Sequence, residues 1–277
     1  MDISPEVVIL PAYDEIQGIP SESAPWHEIY EFEHKIESDH MPKPMYYDER
    51  GVGLYTTGIS KSESAASVAA LLANDRLDLS ETIFLTVGVA GAPPDFEIGS
   101  VILSETIIDW DDKCRVGPDS EDIPLLLNPY TKDKGYYELN QRLITAALDT
   151  LRDIKLPAAV DGHGGAQPRI RTGVNVCADE FWHGEEIAKQ VEWLVDQYDA
   201  GKYCVTEVED AGTAAALKLF GNLEKYLCIR AVSNYDRPLD GTSPRHNVFT
   251  TDFHSGFAIG IDNAIVVART IVEDELA

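Results

Sequence analysis

Basic residues are scarce in this chain: 22 Lys and Arg stand against 48 Asp and Glu in 277 residues, a net charge of −26. Such an acidic excess repels phosphate backbones and anionic lipid, so neither nucleic acid nor a membrane surface is expected as a partner. Cysteine is sparse as well. Cys114, Cys177, Cys204 and Cys228 show no C-x-x-C spacing, and at least three lie in apolar runs. Buried reduced thiols are therefore expected, with no disulfide and no metal site. No apolar run approaches the roughly 20 residues a bilayer span requires. The opening MDISPEVVIL lacks the basic start and apolar core of a signal peptide. These absences predict a soluble cytoplasmic protein.

What is present is a large globular chain, 44% hydrophobic, with ample length for a full core. The acids are spread along it rather than gathered in a tail. That distribution favours a solvated surface tuned to high salt over an ordinary acidic surface, because screening removes much of the self-repulsion.

Apolar strand-like runs alternate with helical patterns. Val7 to Leu10 reads as a first strand, followed by a loop carrying Asp14 and Glu15, and Val52 to Thr57 as a second. Ser60 and Glu63 have capping-box spacing before a helix from Lys61 to Ala73. Thr82 to Val87 reads as a strand leaving into a small-residue loop, Gly88 to Pro93, where backbone N–H groups could approach a ligand closely. Gly99 to Glu105 and Ile107 to Trp110 read as two further strand pieces, and Tyr136 to Ile154 as an amphipathic helix. The segment 161–168, with His163, has the composition of a linker. Arg171 to Cys177 and Tyr203 to Thr206 are strands, each followed by acids and a helix, Glu185 to Tyr198 and Ala211 to Phe220. Tyr226 to Ser233 is an apolar strand without alternation, as for burial on both faces. After a long loop, Ile261 to Val272 closes the chain as a helix. The alternation predicts one α/β domain over residues 1–277, with a mixed, mostly parallel central sheet flanked by helices.

The stretch from Tyr203 to Pro238 carries the densest chemistry. Glu207, Glu209 and Asp210 follow one strand, and Ser233, Asn234 and Asp236 end the next. Polar groups at the ends of neighbouring parallel strands are where α/β sheets bind ligands. One or two of these acids are equally well explained as charges favoured at a helix N-terminus.

Four segments in order carry a family resemblance. VGVAGAPPDFEIGSVILSE (87–105), ADEFW (178–182), EVED (207–210) and RAVSNYD (230–236) resemble the nucleoside phosphorylase/nucleosidase superfamily, and within it the purine nucleoside permease family. The resemblance implies a pocket for a purine nucleoside. Phe181 would lie against the base, with Trp182, Asp179, Val208 and Glu207 around the substrate. Glu209 would hold the ribose hydroxyls, Asn234 would face N7 of the base, and Asp236 would complete the catalytic set. Gly88, Val89 and Ala90 would line the ribose side, with Asp14 and Glu15 at the mouth. Where phosphate-using relatives carry an Arg and a hydroxyl residue, this chain has Thr86 and Val89, so Ser60, Lys61 and Arg50 are expected to supply the phosphate contacts.

The implied activity is phosphorolysis of guanosine or inosine by a homo-oligomeric enzyme, with phosphate as co-substrate and no cofactor. Hydrolysis by a nucleosidase and turnover-free nucleoside binding are the alternatives. From the charge alone, the melting temperature should rise from dilute buffer into the molar salt range; a salt-independent thermal scan would contradict the high-salt reading.

Overall fold

The computed structural model describes residues 3–16, 18–115, 125–131, 134–158 and 167–276; His163 lies outside them. The first half contains strands β1 (Val7–Leu10), β2 (His34–Ile36), β3 (Met45–Tyr47), β4 (Val52–Leu54) and β5 (Ile83–Ala92), with helices α1 (Ala24–Ile29) and α2 (Lys61–Leu72). Strand β6 (Val101–Asp109) follows, then β7 (Lys113–Arg115), β8 (Leu125–Leu127), β9 (Tyr136–Glu138) and α3 (Gln141–Thr150). Next come β10 (Ile170–Cys177), α4 (Glu185–Gln197), β11 (Tyr203–Glu207), α5 (Asp210–Leu219) and β12 (Tyr226–Tyr235). The short α6 (Pro244–Asn247) and α7 (Thr251–His254) precede α8 (Phe257–Glu275).

Among the described residues, ten strands form one mixed sheet in the order β11-β10-β6-β12-β5-β1-β4-β3-β2, with β9 added to β6. The central pairs β1–β5, β5–β12, β6–β10 and β10–β11 are parallel, while β6 and β12 run antiparallel. The sheet also curls back on itself, because Thr206 at the end of β11 pairs with Gly91 of β5. This closure brings the ends of β5, β11 and β12 to one place. Helix α8 covers β12 and β5, burying Ile261, Ala264, Val267, Ala268 and Ile271.

Three local expectations are corrected. The segment Gly88 to Ala92 is strand rather than loop: β5 is paired on both sides, with β1 up to Thr86 and with β12 through Ala92, and that pairing carries the glycines along. The two pieces around Thr106 are one strand, with β12 paired to its first third and β9 to its last. The helix expected from Tyr136 begins only at Gln141. Asn140 accepts N–H bonds from Arg142 and Leu143 as its cap, and the preceding residues form β9. Ser60 does cap α2, accepting from the Glu63 N–H.

Helices α2 and α5 meet at Gly212, where an added Cβ would lie 2.1 Å from the Lys61 carbonyl oxygen and 2.5 Å from Ser64 Oγ. The nearest obstacle is backbone and cannot turn aside. Gly212→Ala should therefore cost about 1–3 kcal/mol and lower the melting temperature by about 5 °C. An unchanged melting curve would show that the two helices separate freely.

Candidate active site

Strand β12 carries a single charge, Arg230, in an apolar run, and its side chain is 3% exposed. A buried guanidinium needs compensation on all its donors. Nε donates to Asp210 Oδ2 at 2.8 Å and Nη2 to Asp210 Oδ1 at 2.7 Å, a bidentate fork. Nη2 also lies 3.3 Å from Glu207 Oε2, and Nη1 lies 3.2 Å from Glu209 Oε2. Every nitrogen of the guanidinium thus faces a carboxylate. Nη1 additionally reaches the Val89 carbonyl.

The three acids after β11 divide their work. Glu207 Oε2 accepts the N–H groups of Glu209 and Asp210, at 2.6 and 2.8 Å, and so caps α5. Asp210 is the counterion of Arg230 and also accepts from Asn175, Tyr226 and Cys228. Glu209 points into the cavity, its Oε1 3.5 Å from the Ser60 N–H. A fourth carboxylate, Glu22, enters from the segment between β1 and α1; Oε2 accepts from the Ala12 N–H and Oε1 from the Val89 N–H, both at 2.9 Å.

Three buried carboxyl groups share one guanidinium, and Glu22 lies close beside them. Burial, reinforced by the neighbouring acids, pushes Glu207 up to about 8 and Glu209 up to about 7, although Arg230 pulls both down. Burial also raises Glu22. Asp210 goes the other way: burial would raise it, but Arg230 and its hydrogen-bond donors hold it below the ordinary carboxylate range.

These groups border a cavity of about 240 Å³. Val89, Ala90, Gly91, Ser233 and Asn234 come from the ends of β5 and β12. Tyr13, Ile16, Ile19, Ile59 and Phe257 give an apolar side, Phe181 and Trp182 add two aromatic rings, and Glu180 adds a further carboxylate. Trp182 is held by its Nε1 donating to Thr206 Oγ1, while Phe181 is 65% exposed at the rim, edge-on to Phe253. Asn234 accepts the Ser233 hydroxyl on Oδ1 and donates from Nδ2 to the Tyr235 carbonyl, which leaves one amide N–H free of those contacts.

Of the residues singled out from the sequence, the structure gathers Phe181, Trp182, Glu207, Val208, Glu209, Val89, Ala90, Asn234 and Asp236 on the cavity wall. Gly88 lies just behind it, against Glu22 and Arg230. Asp236 is tied to Arg237 at 2.7 Å and to the Tyr203 hydroxyl at 3.0 Å, so its carboxylate is engaged away from a ligand. Asp179 accepts the Lys61 N–H outside the cavity. Asp14 bonds Thr56 and Glu15 is exposed; their neighbours Tyr13 and Ile16 line the site instead.

The expected phosphate set is not assembled. Ser60 caps α2, Lys61 Nζ sits between Asp109 and Asp111 at 2.5 and 2.6 Å, and Arg50 pairs with Asp48 beneath Tyr30. Asp109 and Asp111 capture Lys61 and raise its pKa despite its burial. Sequence reasoning missed Arg230, Glu22 and Tyr13. Arg230 had a visible signal, one charge inside LCIRAV, whereas Glu22 in Ser21-Glu22-Ser23 had none.

A family model described as purine nucleoside permease (NUP) matches residues 4–277. The chain belongs to this family. A probable purine nucleoside permease of Schizosaccharomyces pombe is 26% identical over 262 residues, covering 79% of this chain and 74% of that protein. A purine nucleoside permease of Candida albicans is 22% identical over 293 residues, covering 91% and 72%. Among solved structures, futalosine hydrolase of Helicobacter pylori superposes with a TM-score of 0.66 at 16% identity, covering 98% of both chains. The 5′-methylthioadenosine/S-adenosylhomocysteine nucleosidase of Neisseria meningitidis, in complex with methylthio-immucillin-A, gives 0.65 at 16% identity, covering 98% of this chain and 99% of that one. The permease-family chain thus has the nucleosidase fold. Among its described residues no helix is long and apolar enough to cross a membrane.

The crowded carboxyls have a consequence for stability. Glu207 and Glu209 keep protons in the folded state at pH values where an unfolded chain has released them. The folded state therefore binds more protons between about pH 5 and pH 8, and stability falls as pH rises through that window. Glu207→Gln removes one such group and should flatten the decline of melting temperature between about pH 5 and pH 8. Parallel curves for the two proteins would refute the assignment.

Proposed function

We propose that this chain is a purine nucleosidase that hydrolyses the N-glycosidic bond of 6-oxopurine nucleosides. The observation that carries the choice of water over phosphate is the state of Arg230. It is the one cation among the described cavity-lining residues, and each of its nitrogens already faces a carboxylate. A phosphate anion would enter a cavity bordered by Glu22, Glu180, Glu207 and Glu209 with no free side-chain cation to meet it.

The same charge suits hydrolysis. As the bond between C1′ and N9 breaks, its electron pair leaves with the purine and positive charge builds on the ribose. Carboxylates fixed around that position favour the transition state over the neutral substrate. Glu209 accepts the ribose hydroxyls, the water oxygen adds to C1′, and its proton passes to Glu22. The departing base collects charge at N7, where the remaining Asn234 N–H donates; an amide supplies this hydrogen bond but no proton, so the base is protonated by solvent. With Asn234 Oδ1 engaged by Ser233, the group offered to the base is a donor, which suits an oxygen at C6 better than an amino group. The names of the permease relatives agree with a purine nucleoside ligand, and the nucleosidase fold agrees with its cleavage.

Guanosine or inosine should release free base and free ribose at a rate independent of phosphate, with adenosine slower. Glu209→Gln should lower kcat/KM by about tenfold or more, about 1.4 kcal/mol of transition-state stabilisation. Turnover that requires phosphate and yields ribose 1-phosphate would replace hydrolysis by phosphorolysis, and saturable nucleoside binding with neither product would leave a binding protein.

A further inference from the structure

Glu22 is held in an unusual way for a cavity carboxylate. It is 3% exposed, and each of its oxygens accepts a main-chain N–H at 2.9 Å, Oε2 from Ala12 and Oε1 from Val89. Ala12 lies just past the carboxyl end of β1, and Val89 lies in β5, its parallel neighbour. Main-chain N–H groups that converge where β5 runs on past the carboxyl end of β1 form an anion-binding concavity.

The backbone is shaped for this contact. A Cβ on Gly88 would lie 2.3 Å from Glu22 Oε1 and 2.9 Å from Arg230 Nη1, so only glycine lets the carboxylate and the guanidinium approach β5 together. Two amide donors beside a buried guanidinium are the elements of an oxyanion site. Here a carboxylate of the chain itself occupies it.

We infer that Glu22 is a built-in anion that fills the oxyanion position of the cavity and so selects water, not inorganic phosphate, as the second substrate. Glu22 is then a specificity-determining residue. The selection between second substrates rests on the hydrolytic reading above, but occupation of the anion position does not. The side chain shuts out phosphate twice: it takes both amide donors, and it fills the space between them. Its removal frees two aligned donors in a cavity with room for a tetrahedral anion.

The full chain and its Glu22→Ala variant should be titrated with inorganic phosphate in a calorimeter, without nucleoside, at constant ionic strength. The unaltered protein should show no saturable heat, and the variant should bind phosphate at least about tenfold more tightly. Glu22→Ser opens the same space with a small polar side chain, so it decides the matter if the alanine variant does not fold. A folded small-residue variant that binds phosphate no better than the unaltered protein would overturn the inference, as would phosphate binding of equal strength in both. A second arm supplies guanosine and phosphate together. Ribose 1-phosphate from the variant and only ribose from the unaltered protein support the selection role; ribose 1-phosphate from both overturns it. Absence of turnover in both proteins would count against the nucleosidase reading, while the phosphate titration would still decide occupation of the anion position.

Discussion

The guanidinium of Arg230, buried in the middle of an apolar strand, is the constraint on which this architecture depends. A desolvated cation is tolerated only when its donors are met, and meeting them draws Asp210, Glu207 and Glu209 together from the start of α5. Asp210 alone would satisfy the charge. The remaining acids are in excess, and the same burial that makes Arg230 need them makes their ionisation costly. The outcome is a cavity poised between protonated and ionised carboxyls near neutral pH.

The sheet supplies the geometry. Its closure at Thr206 and Gly91 brings β11 beside β5, so that acids following one strand face the small residues of another. Gly91 and Gly88 leave no side chain at these approaches, and the space is taken by Asn234, Thr206, Glu22 and Arg230. Helix α5 packs on α2 through Gly212, which sets Ser60 against Glu209. A glycosidic bond placed here would meet fixed negative charge on the sugar side and an amide donor on the base side. In the reaction proposed above, that polarity would match the charge separation of the transition state.

The acidic character of the chain has two components. Most of its acids are exposed and act through solvent and salt. The handful around Arg230 are buried and act at short range, where screening is weak. Net charge describes only the first kind. Lys61 shows how the two differ: from composition it is one of few bases and a natural phosphate contact, yet in the fold it is consumed by Asp109 and Asp111.

Periodicity and local chemistry were enough to determine the alternation of strands and helices, the cap at Ser60, the buried strand around Cys228 and the polar strand end at Asn234. These depend on interactions within a few residues, which sequence spacing reports directly. The four ordered segments likewise pointed to the superfamily. Tertiary structure alone decided that Gly88 to Ala92 is strand, because its partner β12 is distant in the chain. It also decided which acid caps, which pairs and which faces the cavity, since Glu207, Glu209 and Asp210 differ only in where the turn into α5 points them. Glu22 was invisible in the sequence for the same reason. Its role comes from two backbone amides, Ala12 and Val89, that no side-chain pattern encodes and that only the pairing of β1 with β5 brings within reach of one carboxylate.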